Sequence, residues 1–134
     1  MAKLEYVEGI GEVYAEKLRA AGITSAEKLL KEGATPKGRK EIAEKAGIND
    51  KLVLEWVNHV DLFRVKGVGQ EYADLLEEAG VDTIPELAQR NPENLYEKMA
   101  DVNAEKALVR ILPGRNEVAD WVEQAKQLPR MIHY

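Results

Sequence analysis

The sequence predicts an all-α protein made of two tandem units of short helices related by a pseudo-two-fold repeat. Three observations carry this. First, the pattern Val-x-Gly-apolar-Gly-x-x-Tyr-Ala-x-x-Leu-x-x-Ala-Gly-apolar occurs twice, starting at Val7 and again at Val65, 58 residues later. Across residues 7–30 and 65–88, nine of 24 positions are identical: Val7/Val65, Gly9/Gly67, Gly11/Gly69, Tyr14/Tyr72, Ala15/Ala73, Leu18/Leu76, Ala21/Ala79, Gly22/Gly80 and Leu29/Leu87. Internal repetition at this period marks a tandem architecture. Second, the apolar-periodic stretches are cut by Gly, Pro and capping residues. Third, no segment shows the period-two, β-branched alternation of paired strands.

The elements follow in order. Leu4-x-x-Val7 leads into the first Gly-Ile-Gly turn, and a helix is predicted over 12–21. Gly22 is placed to end it in a left-handed conformation. Thr24-Ser25-Ala26-Glu27 reads as a capping box, with Thr24 as the cap of a helix over 25–31. Thr35-Pro36 puts a cap before Pro at the first position of a helix over 36–46. Gly47 stops that helix, and another runs over 50–61.

In the second half, Leu62-x-x-Val65 leads into Gly67-Val68-Gly69 and a helix over 70–79, ended by Gly80. Thr83-Ile84-Pro85-Glu86 opens a helix over 84–90, and Asn91-Pro92 opens one over 92–101. Helices over 103–111 and 116–127 follow, separated by Pro113-Gly114. Glu55-Trp56-Val57 matches Asp120-Trp121-Val122 at an offset of 65, seven more than at the turns. The second unit therefore carries an insertion, assigned to 107–115. The expected units are 1–63 and 64–134. Leu128-x-x-Met131 resembles the start of a third lead-in; it reads as a tail capping the last unit, with a docking segment for another copy as the alternative.

Composition narrows the function classes. The 134 residues are 45% hydrophobic and 32% charged, which suits a folded globular chain. Cysteine is absent, so disulfides, thiolate nucleophiles and Cys-based metal sites are excluded. The N-terminus lacks the apolar run of a signal peptide, and no stretch is long and apolar enough to span a membrane. A cytoplasmic location with no membrane partner is expected. The net charge of −5 weighs against a general nucleic-acid binder. Residues 1–63 carry net −1 and residues 64–134 net −4.

The glycine turns are the main candidate site. Gly-apolar-Gly before a helix permits a positive φ and close backbone approach, while Ile10 or Val68 plugs the core below. The uncovered N–H groups of the following helix form an anion site. Val-x-Gly-apolar-Gly-x-x-x-Ala-x-x-Leu followed by Ala-Gly-apolar resembles the helix-hairpin-helix motif. Two copies resemble the tandem (SAM-like) arrangement of DNA repair and replication proteins. Ala-Gly-Ile-Thr-Ser-Ala-Glu-Lys-Leu at 21–29 is similar to the C-terminal domain of the RNA polymerase alpha subunit. Over its length the chain resembles the domain of unknown function 4332 family, which lends a fold and no settled activity.

In DNA-binding helix-hairpin-helix proteins the hairpin N–H groups hold a phosphate without reading sequence. The resemblance implies that role for Gly9, Gly11, Gly67 and Gly69. Those proteins usually add Lys or Arg two residues after the second glycine, where this chain has Val13 and Glu71. Glu8 and Glu12 also crowd the first turn. A carboxylate about 6 Å from a phosphate, at an effective dielectric of about 20, costs on the order of 3 kcal/mol. Arg64 and Lys66 offset Glu71 at the second turn. Two readings stand side by side: phosphate contact, and turns kept only as architecture. Some relatives hold a monovalent cation on hairpin carbonyls, and nothing here favours one turn over the other for that.

Lys37-Gly38-Arg39-Lys40 is the densest basic cluster. It opens a helix, where the macrodipole disfavours cations. It joins the candidate nucleic-acid contacts, with a solvated face as the alternative. His59 and His133 lack metal-ligand spacing, so no metal is expected. Trp56 and Trp121 recur at matching places and read as core, Tyr14 and Tyr72 as supports of the turns. No catalytic constellation or cofactor motif is present, and the expectation is a protein that is not an enzyme and takes no cofactor. Two partner classes remain: a nucleic-acid backbone such as DNA, or a protein, including self-association.

Overall fold

The computed structural model describes residues 2–134. Among them every regular element is helical, with eight α-helices, one short 3-10 helix and no strand. The chain divides into two compact units. One takes in the chain through Asp61 together with Met131–Tyr134, and the other is Leu62–Arg130.

In the first unit a 3-10 turn, Leu4–Tyr6, precedes α1 (Glu12–Ala20). Helix α1 ends in a Schellman motif: the Ile23 N–H donates to Leu18 O at 2.9 Å and the Gly22 N–H to Arg19 O at 3.0 Å. Helix α2 (Ala26–Glu32) is capped by Ser25, whose hydroxyl accepts from the Lys28 N–H at 3.1 Å. The expected cap was Thr24. Ser25 matches Thr83 at the 58-residue offset and stands immediately before the first helical residue, Ala26, which is the position from which a side chain reaches the free N–H groups of the first turn. Helix α3 (Pro36–Ala46) begins as its Thr35-Pro36 signal predicts, with Thr35 accepting from the Gly38 N–H at 3.1 Å. Helix α4 (Asp50–Leu62) buries Val53, Trp56, Val57 and Val60, the three-and-four spacing of an amphipathic face.

In the second unit α5 (Gln70–Glu78) ends in the same motif as α1. The Val81 N–H donates to Leu76 O at 2.8 Å and the Gly80 N–H to Glu77 O at 2.9 Å. Thr83 caps α6 (Ile84–Gln89) and Asn91 caps α7 (Pro92–Lys106). Helix α8 (Arg115–Gln127) packs on α6 and α7. Leu62, Val65, Val68, Leu76, Leu87, Leu95, Met99, Val118 and Trp121 share one buried cluster.

Two further expectations fail, one for a local reason and one through long-range contacts. Helices over 92–101 and 103–111 are instead the single helix α7, which stops at Ala107 in a left-handed conformation, φ 51°. The Asn103 amide turns the chain there. Its Nδ2 donates to Val109 O at 3.1 Å and its Oδ1 accepts from the Val109 N–H at 2.9 Å. Residues 107–114 are non-helical. The tail does not cap the second unit. Met131–Tyr134 belong to the first, where Ile132 is buried and the His133 N–H donates to Ala34 O at 2.7 Å.

Candidate functional site

The two glycine turns have the same local construction. The Ile10 N–H donates to Val7 O at 3.0 Å, and the Val68 N–H to Val65 O at 3.1 Å. Gly9 at φ +91° and Gly67 at φ +97° occupy the third position of each turn, where a type II geometry demands a positive φ. Val7, Ile10, Val65 and Val68 point inward and are buried. Gly11 and Gly69 differ from expectation: they are extended helix caps, φ −84° and −103°, a conformation open to any residue. The special backbone angle belongs to the first glycine of each pair only.

A tryptophan closes over that first glycine. A Cβ on Gly9 would lie 3.2 Å from Trp56 Nε1, and one on Gly67 would lie 2.9 Å from Trp121 Nε1. Tyr14 leans on Trp56 with ring centroids 5.1 Å apart, and Tyr72 on Trp121 at 5.4 Å. Both indoles are buried, as their recurrence predicted. Glycine, indole and phenol thus form the same three-part stack in each unit. The Tyr72 hydroxyl also donates to Ile111 O at 2.9 Å. Burial, then the charges of Glu117 and Glu71, push its pKa up and keep that donor protonated.

The basic candidates divide. Arg64 is half-buried, and both its terminal nitrogens donate to Pro129 O. Arg39 is 7% exposed, with Nη1 donating to Gly33 O and Nη2 to His133 O, each at 2.8 Å. Both guanidinium groups are committed to backbone carbonyls. Gly38 is a contact point as well, since a Cβ there would fall 1.9 Å from Glu32 O of α2. Lys37, Lys40 and Lys66 keep exposed side chains. The Lys66 peptide is gripped from both sides by one amide: its N–H donates to Gln124 Oε1 at 2.8 Å, and Gln124 Nε2 donates to its carbonyl at 3.1 Å.

Gln124 was not legible as a site residue, because its role needs α8 laid against the turn. Its one signal is position: it follows Trp121 by three, as His59 follows Trp56. His59 is buried on α4, and that burial lowers its pKa, leaving a neutral ring at pH 7. Two aliphatic side chains stand out by their exposure. Val13, in the first turn of α1, is 66% exposed, and Ile111 is 76% exposed. Among the described residues no His, Asp and Glu cluster is placed to hold a metal, and no helix is long and apolar enough to cross a membrane.

The family model described as Domain of unknown function (DUF4332) matches residues 8–128. The chain belongs to the DUF4332 family. The matched span covers both tryptophans and all of the second turn, starts inside the first, and stops short of Met131–Tyr134. No solved structure matches the chain.

Proposed function

We propose that this chain is a non-catalytic protein-interaction module whose glycine turns are architectural. The observation that carries this is the indole over each first glycine. Turn geometry and the Trp56 and Trp121 contacts account for Gly9 and Gly67 without any ligand. The tandem helix-hairpin-helix arrangement belongs to the same proposal. The paired turns, Schellman ends and stacks support it, each found once per unit. A cytoplasmic setting is part of the reading and fits a chain with no cysteine.

The surface beside the turns favours protein over phosphate. Val13 is an exposed aliphatic side chain where a phosphate binder has a cation, and Glu12 stands next to it. The test is partner capture from the native host by crosslinking, with Val13→Glu and Ile111→Glu variants alongside wild type. A partner lost on these changes, with helix content unchanged, supports the proposal. A partner set identical in all three proteins rejects it.

One observation favours a second reading, contact with a nucleic-acid backbone. The helix caps Gly11 and Gly69 supply no side-chain acceptor, and Lys66 extends its ammonium beside the second turn. Such binding would be sequence-independent and steeply salt-sensitive.

A further inference from the structure

The glycine, indole and phenol stack is the same in both units, but what meets the phenol is not. In the second unit α7 and α8 are joined by the non-helical residues 107–114. The Tyr72 hydroxyl donates to Ile111 O of that segment at 2.9 Å, while Val109 is buried and Leu108 and Leu112 pack on the second core. In the first unit α3 and α4 are joined by residues 47–49 alone. The Tyr14 hydroxyl has no hydrogen-bond partner among the described residues. Its neighbours on α1 are open too. Val13 is exposed. Lys17, at the 58-residue offset from the buried Leu75, is exposed as well, with its ammonium 5.8 Å from the centre of the Tyr14 ring. Residues 13, 14 and 17 lie three and four apart and share one face of the helix. A phenol stacked on an indole brings its hydroxyl to the edge of an apolar surface, where an acceptor completes it.

We propose that this face of α1 is the docking site for a non-helical aliphatic segment of another protein, which gives a backbone carbonyl to the Tyr14 hydroxyl and lays an aliphatic side chain on Val13. The second unit supplies the occupied form of the site, with the chain's own 107–114 segment on Tyr72. Main-chain bonding gives adhesion and side-chain contact gives selection, as when grooves take peptide segments. The 107–114 segment of a second copy is not the occupant, because its own Tyr72 already holds it. The inference rests on the protein-interaction reading and narrows it to one face and one kind of partner segment.

The probe is a free peptide of residues 107–114, blocked at both ends and titrated into the full chain. Saturable shifts of the Val13, Tyr14 and Lys17 amide resonances are expected. Tyr14→Phe should weaken the binding about fivefold, the worth of one hydrogen bond, and Val13→Glu should abolish it. No shifts at α1, or binding that ignores both variants, overturns the proposal. Saturation of the same resonances by a helical peptide of residues 92–106 in its place also overturns it, since a helix would then be the occupant. Thermal melts give a second readout. Tyr14→Phe should melt with wild type and Tyr72→Phe below it, because only Tyr72 has a bond to lose within the fold. A Tyr14→Phe protein that melts as low as Tyr72→Phe has lost an internal contact, and the proposal falls. Host partners that depend on Val13, with no peptide binding, overturn this inference and leave the interaction reading standing. Peptide binding with no host partner supports the site and counts against the wider reading.

Discussion

Gly9 and Gly67 each meet two independent demands, a positive φ and an indole at contact distance. A side chain at Gly67 must accept a left-handed strain of about 1–3 kcal/mol and also displace Trp121. Gly11 meets neither demand, since its φ is −84° and nothing lies within 4 Å of a Cβ there. The expected outcome is that Gly67→Ala lowers the unfolding free energy from urea titration by that strain or more. Gly11→Ser should instead raise stability by about 0.5 kcal/mol, because serine supplies the missing cap acceptor and restricts the unfolded chain. Equal midpoints for Gly67→Ala and wild type would remove the turn geometry proposed here. His59 makes a second residue-scale case. Burial lowers its folded-state pKa below its ordinary 6.5. The unfolded chain therefore binds more protons between that lowered value and 6.5, and stability falls as pH drops through this window. Urea titrations at pH 7.5 and 5.5 should show the loss in wild type. His59→Gln, which copies the amide of Gln124, should reduce it, and an unchanged slope would exclude His59 as the source.

At the scale of elements, the helix stops show what sequence signals settle. Gly22 and Gly80 were readable because glycine after an apolar-periodic run has one common structural use. The end of α7 was not readable, since Ala107 carries no such mark and the turn depends on Asn103 reaching six residues ahead to Val109. A left-handed alanine costs about 1 kcal/mol. Ala107→Gly should recover about that much, seen as a higher melting temperature with unchanged helix content. Asn103→Ala should cost about 1–3 kcal/mol by stranding the Val109 N–H and carbonyl. If Ala107→Gly were destabilising, the left-handed stop would be wrong. The same logic explains Ser25 against Thr24: two adjacent hydroxyls offer the same chemistry, and the helix phase chooses between them.

At the scale of the molecule, charge and commitment act together. The chain carries −5 overall, and two of its five basic candidate contacts, Arg39 and Arg64, are tied to backbone carbonyls. Titration with duplex and single-stranded DNA should give no saturable binding at near-physiological salt. Any low-salt binding should weaken about fivefold or more in Lys66→Glu, since each close charge contact at a wet surface is worth about 1 kcal/mol. Tight, salt-resistant binding that ignores Lys66→Glu would contradict both the proposed protein-interaction role and the placement of the second turn.

The sequence by itself determined the helical class, the two turns, most helix starts and the burial of both tryptophans. Those features rest on interactions within a few residues or on a pattern repeated along the chain. Tertiary structure decided the rest. It spent Arg39 and Arg64 on carbonyls, set Gln124 around the Lys66 peptide, and seated Met131–Tyr134 in the first unit. A guanidinium reads the same in sequence whether it faces solvent or a carbonyl brought from 94 residues away, as His133 O is to Arg39. Four extended residues carry no periodicity, so only the groove that receives them gives Ile132 its place.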